Sequence, residues 1–224
     1  MLSLLRTFDA APPPPIGFAQ DGLICGDCEF AATEFNYRCD AYIFGEGQPA
    51  EYVYQVVSGA VRSYRLLDDG RRQIGAFQLA GDIFGLEVGP CHRLTAEATV
   101  RTRVRMVRRR AIEAAARRDA GLAYKLWAIT SAELRHAEDH MVLLGRKTAA
   151  QRVASFLLEM DRRLSRFGEV ALPVSRRDIA DYLGLTLETV SRLVSEFHEK
   201  GLLTFFGPRR FRLRDRARLA AMDA

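Results

Sequence analysis

The sequence predicts an α+β chain: an N-terminal antiparallel β-roll, then a long helix, then a C-terminal winged helix-turn-helix. Three observations carry this. Residues 35–107 hold short runs rich in Val, Tyr, Ile and Phe, divided by Gly-containing turns, which is the grammar of hairpins. From 111 to 144 the apolar residues recur at steps of three and four without a proline, as in a helix. Beyond 145, two short amphipathic segments flank a glycine and are followed by two strand-like runs.

The β part divides at its turns. Residues 52–57, 60–67 and 72–79 are separated by Ser58-Gly59, Asp68-Asp69-Gly70 and Ala80-Gly81-Asp82. Asp-Gly is a strong hairpin signal because both residues tolerate positive φ. Residues 96–106 alternate: Ala96, Ala98, Val100, Val104 and Met106 face one way and Glu97, Thr99, Arg101, Arg103 and Arg105 the other. One half-buried strand is expected there. Residues 1–34 read as a leader, broken by four prolines at 12–15 and carrying Cys25-x-x-Cys28. It lacks the basic start and apolar run of a secretory signal. No run approaches the roughly eighteen apolar residues of a membrane span, so the expected setting is cytoplasmic, without a membrane partner.

With the roll spanning 35–110, the helical part runs over 111–144. Gly121 is expected to separate a short helix from a long one. On the long one, Leu122, Leu126, Ile129, Glu133, His136, His140 and Leu143 share a face. Such a seam suits burial against its twin in a homodimer, where polar members set register; the alternative is packing on the chain's own β domain. His136 and His140 sit four apart, yet no third metal ligand lies near them in sequence. Gly145 is expected to break the helix, and 147–163 to form another on Val153, Phe156, Leu157 and Met160.

The last part, 145–224, contains the constellation with chemistry. Ser175-Arg176-Arg177-Asp178 has the capping-box pattern of a helix start. Gly184 then supplies the left-handed residue of a tight turn, and Thr186 can cap a second helix. There Val190, Leu193, Val194 and Phe197 form the inward stripe, while Glu188, Ser191, Arg192, Ser195 and Glu199 lie opposite. A second helix of this kind enters the major groove. Arg192 can grip guanine O6 and N7, Glu188 can accept from cytosine N4, and Ser191 can reach a base edge or a phosphate. Ser175, Arg176, Thr186 and Thr189 are expected to cap helices or touch the DNA backbone. Residues 202–206 and 210–213 read as a wing, with Arg209 and Arg210 as phosphate contacts at its tip. A plain surface helix with a Glu188–Arg192 pair is the competing reading of the same two residues.

Charge agrees with this division. The chain has 33 Lys+Arg against 28 Asp+Glu, a net +5. Residues 145–224 carry 16 basic and 10 acidic residues, net +6, and residues 1–144 are at −1. The positive excess thus sits where a polyanion is to be met. No nucleophile elbow, zinc-protease motif or P-loop is present, so an enzyme is not expected.

The stretch 175–192, Ser-Arg-Arg-Asp-Ile-Ala-Asp-Tyr-Leu-Gly-Leu-Thr-Leu-Glu-Thr-Val-Ser-Arg, resembles the helix-turn-helix of the CRP/FNR superfamily of bacterial transcription regulators. Residues 54–73 and Gly81-Asp-Ile-Phe-Gly85 are similar to its cyclic-nucleotide-binding-like β-roll, and most closely to the FixK/FNR branch. The likeness covers residues 40–213. It implies a homodimer joined through the long helix and contacting RNA polymerase. In this branch Glu188, Ser191 and Arg192 would read the half-site of a TTGAT-N4-ATCAA palindrome before microaerobic, anaerobic or nitrogen-fixation genes. A regulatory module that does not bind DNA is the rival, and it leaves this face and the wing unexplained.

The resemblance bears on effectors too. Cyclic-nucleotide members carry Gly-Glu-Leu and then an Arg-Ser/Thr pair. Here the region reads Gly85-Leu86-Glu87, and Leu94 separates Arg93 from Thr95, which speaks against cyclic AMP. FNR proteins hold an oxygen-labile 4Fe–4S cluster on four cysteines, making Cys25, Cys28, Cys39 and Cys91 the candidate set, with zinc or no metal as alternatives. The gap before Cys39 is longer than the family's, and Arg105 stands where FNR places its fourth ligand. Cys39 and Cys91 would otherwise be buried small hydrophobes.

Overall fold

Short strands with one apolar face need a second layer to cover it. The computed structural model describes residues 30–223 and shows how this is met. Strands β1 (Thr33–Tyr37), β2 (Tyr42–Phe44), β3 (Tyr52–Ser58) and β4 (Ala60–Leu66) are followed by β5 (Arg72–Leu79), β6 (Ile83–Phe84), β7 (Thr95–Ala98) and β8 (Thr102–Arg108). They make two antiparallel sheets, ordered β1-β8-β3-β6 and β2-β7-β4-β5. Phe44, Tyr54, Val61, Phe84, Ala96 and Val104, drawn from both sheets, pack together as a core. The chain changes sheet at Ser58-Gly59. Gly59 has φ +88, and a Cβ there would lie 2.7 Å from the Thr102 Cα, so a side chain would displace backbone.

The stretch 96–106 is two strands rather than one. β7 belongs to the second sheet and β8 to the first, with a bend at 99–101 between them. Ala96, Ala98 and Val104 are buried, but Glu97 and Thr99, expected on the solvent face, are buried as well. Both find partners inside: Glu97 accepts from Arg62, and Thr99 donates to the Ala60 carbonyl.

Three helices follow: α1 (Arg109–Ala116), α2 (Ala120–Arg146) and α3 (Ala149–Leu164). The break before the long helix falls at 117–119, not at Gly121. Asp119 caps α2 by accepting from the N–H groups of Gly121 and Leu122, which places Gly121 inside the first turn. Gly145 does not end α2 either; the helix runs to Arg146, and Thr148 opens α3 with a capping box to Gln151. Arg152 satisfies carbonyls left over at two helix ends, donating to Leu144 at 2.7 Å and Leu183 at 3.0 Å.

The C-terminal part comprises β9 (Val170–Ala171), α4 (Arg176–Leu183), α5 (Leu187–Glu199), β10 (Leu203–Gly207), β11 (Arg210–Leu213) and α6 (Arg216–Asp223). Its small sheet is ordered β10-β11-β9. Phe156, Leu157 and Met160 of α3 are buried with Leu183, Phe197 and Phe211, and this core continues into Ile74 and Phe77 of β5. The helix-turn-helix is therefore seated directly on the second sheet of the roll. No helix among the described residues is long and apolar enough to cross a membrane.

Candidate nucleic-acid interface

Local chemistry sets the start and end of both short helices. The Ser175 hydroxyl accepts from the Asp178 N–H and donates to Asp178 Oδ2 at 2.6 Å, while the Ser175 N–H donates to the same oxygen. Gly184 closes α4 with φ +62, and Thr186 opens α5 by accepting from the Thr189 N–H at 3.2 Å. Ser175, Thr186 and Thr189 thus all take part in caps.

Val190, Leu193, Val194 and Phe197 are all buried, which fixes the rotation of α5 about its axis. Glu188 and Arg192 are consequently exposed on the outer face, with Ser191 half-buried between them and Ser195 beyond. The Glu188 carboxyl is held below its ordinary range by its own backbone N–H and by Thr186, with Arg177 adding a favourable charge. It faces solvent ionised. The i,i+4 ion pair on α5 is Glu196–Lys200, at 2.5 Å, rather than Glu188–Arg192. Of the three predicted base-reading side chains, Glu188 and Arg192 are thus fully available to an external partner and Ser191 partly so.

The wing is the β10–β11 hairpin, with Arg209 exposed at its tip. Arg210 is exposed but engaged: its Nη2 donates to Glu169 at 2.7 Å, and Arg212 bonds the other oxygen of the same carboxylate. Arg176 lies over the Phe205 ring at 5.6 Å. Arg177, exposed beside Glu188, was not singled out from sequence; its only signal there is a basic residue in the first turn of α4.

Apart from Glu133, which is exposed, the residues expected to form a dimer seam pack on their own chain. Leu122 and Ile129 are buried against Val53, Ile83 and Ile112, with Leu126 packed beside them. His136 lies 3.4 Å from the Tyr182 hydroxyl, His140 is buried with its ring stacked on Tyr182 at 4.1 Å, and Leu143 packs on the C-terminal core. Burial, with the charge of His136 adding to it, pushes the His140 imidazole down to about 4, so His140 is neutral near pH 7. The face of α2 left open carries Tyr124, Trp127, Leu134, Met141 and Val142, each more than half exposed. From sequence only the Leu122–Leu143 face was singled out, and this open stripe was missed.

A cleft of about 720 Å³ separates the roll from α2, bordered by Leu86, Glu87, Arg93, Ile129 and Glu133. Glu87 already takes His92 at 3.3 Å and lies 3.9 Å from Arg109. Enclosure by the cleft, with Glu87 and Asp82 facing it, pushes the Glu133 carboxyl up to about 7.

Cys39 and Cys91, the two described members of the cysteine set, do not converge. Cys25 and Cys28 lie outside the described residues. Cys39 and Cys91 are exposed rather than buried. Cys39 donates to the Thr99 carbonyl at one end of the β2–β7 ladder, beside the Asp40–Ala98 bond, whereas Cys91 bridges Pro49 at the other end. Thiolates that share one cluster must meet at its irons, and these two cannot. No group of three His, Cys, Asp or Glu able to hold a metal occurs among the described residues.

Comparison with known proteins agrees with this geometry. Residues 34–119 match the cyclic nucleotide-binding domain family and residues 151–222 the Crp-like helix-turn-helix domain family. The chain is 50% identical to the nitrogen fixation regulation protein FixK of Azorhizobium caulinodans, over 81% of this chain and 75% of that one. It is 32% identical to the fumarate and nitrate reduction regulatory protein of Escherichia coli, over 74% and 68%. The solved structure of FixK2 from Bradyrhizobium japonicum superposes with a TM-score of 0.85 at 67% identity, covering 86% of this chain and 98% of that one. A roll seated under a capped helix-turn-helix, an exposed Glu-x-x-Ser-Arg face and these likenesses place the chain in the FixK branch of the CRP/FNR superfamily of DNA-binding transcription regulators.

Proposed function

We propose that this protein acts as a homodimeric activator that reads a TTGAT-N4-ATCAA palindrome and recruits RNA polymerase to genes of nitrogen fixation or of microaerobic and anaerobic respiration. The observation that carries the reading is the face of α5, where Glu188 and Arg192 are exposed by the burial of Val190, Leu193, Val194 and Phe197. The gene class is taken from the FixK and the fumarate and nitrate reduction relatives. Trp127, Leu134 and Met141 recur at steps of seven on the open face of α2, the spacing of a coiled-coil seam, so this stripe rather than the Leu122–Leu143 face pairs the two protomers. Gly85-Leu86-Glu87 and the Leu94 between Arg93 and Thr95 depart from the pattern of cyclic-nucleotide members, which speaks against cyclic AMP as the effector.

Fluorescence anisotropy on the palindrome and on a scrambled duplex tests the reading. The protein is to prefer the palindrome, and equal affinity for both would refute it. Sedimentation tests the pairing: a Leu134→Asp, Met141→Asp variant is to run as a monomer where the parent runs as a dimer.

A further inference from the structure

A second group of charges lies where the winged domain meets the β-roll, and neither the DNA-reading face nor the open stripe of α2 uses it. Arg62 stands in the middle of β4 with its side chain only 7% exposed. Its guanidinium meets three carboxylates from three places in the fold. Nε and Nη2 donate to Glu97 Oε2 at 2.9 and 2.6 Å, Nη2 also donates to Asp40 Oδ1 at 2.8 Å, and Nη1 donates to Asp178 Oδ1 of α4 at 2.8 Å. Arg72 of β5 bonds Asp181 Oδ2 at 2.9 Å and reaches Asp178 Oδ1 at 3.4 Å. Gln73 donates to the carbonyls of Asp181 and Tyr182.

Asp178 is the pivot of this group. Its Oδ2 closes the capping box with Ser175, and its Oδ1 takes Arg62 and Arg72. Burial opposes the charge on Arg62, but Glu97 and Asp178 outweigh it and keep the guanidinium protonated. A buried ion pair adds little net stability over apolar packing, yet a planar guanidinium forked onto several carboxylates accepts one geometry only. The first turn of α4 is thus clamped to the roll, and α5 follows α4 across the three-residue turn Gly184-Leu185-Thr186.

We propose that Arg62 is a positioning residue for DNA reading. By gripping Asp178 it sets the tilt of the helix-turn-helix on the roll, and so the angle at which each α5 of a dimer meets its half-site. This rests on the DNA-reading function proposed above.

The test uses full-length Arg62→Met, Arg62→Lys and Arg72→Gln proteins with two readouts. In anisotropy at one salt concentration, Arg62→Met is to lose about tenfold or more on the palindrome, because truncation strands buried carboxylates. Its affinity for scrambled duplex is to stay within about twofold, because a buried guanidinium neutralises no phosphate. Arg62→Lys, which keeps the charge without the fork, is to recover part of the loss. In hydrogen exchange, the amides of 176–183 are to exchange faster in Arg62→Met while those of β3 and β8 keep the parent rate. Arg72→Gln, at the more open rim, is to shift both readouts the same way by less, and it decides the matter if Arg62→Met does not fold. Parent-like binding to the palindrome, equal loss on both duplexes, or unchanged exchange in α4 overturns the proposal. A parent protein that does not distinguish the duplexes refutes the DNA-reading function instead, and the exchange readout still decides whether Arg62 holds α4.

Discussion

α4 and α5 are neighbouring helices with similar openings, yet they dispose of their charges in opposite ways. Each has a hydroxyl cap and an acid in its first turn, Asp178 in one and Glu188 in the other. Asp178 is 3% exposed and taken by Ser175 and Arg62, while Glu188 lies open to solvent four residues before an equally open Arg192. A buried carboxylate needs an opposite charge to be tolerated, whereas an exposed one is already solvated. The chemistry of α4 is therefore consumed within the chain, and that of α5 is on offer to another molecule. One helix anchors and the other reads.

Substitutions can break this contrast or sharpen it. The largest effect belongs to Asp178→Ala, which removes the cap and one partner of a buried ion-pair group, at a cost of about 3 kcal/mol or more. Chemical denaturation checks it, and Glu188→Ala under the same conditions is to stay within about 0.5 kcal/mol of the parent. Arg192→Ala comes next, with about 1–3 kcal/mol lost on the palindrome, discrimination relaxed at one base pair, and an unchanged melting temperature. Gly184→Ala is to cost about 1–2 kcal/mol of stability, because a Cβ is strained at φ +62 whatever the space around it. The smallest effect is that of Arg209→Ala. It is to weaken palindrome and scrambled duplex alike and to reduce the slope of log affinity against log salt by about one. A sequence-dependent loss there would move Arg209 from backbone contact to base reading.

Features set by a few adjacent residues were legible in the sequence. The Ser175–Asp178 box, the Gly184 turn, the α5 stripe and the Asp-Gly hairpin all depend on neighbours in the chain, and pattern reading finds them. What it missed depends on distant partners. Glu97 looked like a solvent-facing residue because its position alternates with alanines, and Arg62, 35 residues away, with Arg72 at 3.8 Å, makes its burial tolerable. Arg62 in turn meets Asp178 across 116 residues. The covered face of α2 was illegible for a related reason. A helix with two apolar stripes does not reveal which is covered from within, and the Leu122–Leu143 face was claimed by the roll and by Tyr182. Cys39 and Cys91 matched a count of thiols, but the strands between them hold them apart.

The length of α2 has a mechanical side. Its 27 residues make a rod of about 40 Å at 1.5 Å per residue, touching the roll through Leu122 and Ile129 near one end and the helix-turn-helix through His140 near the other. Tilting such a rod by about 5° moves its far end by about 3.5 Å, close to the rise of one base pair. Placing α5 over the correct base is thus a matter of leverage, and the aliphatic seat at the start of α2 is where the arm is held steady.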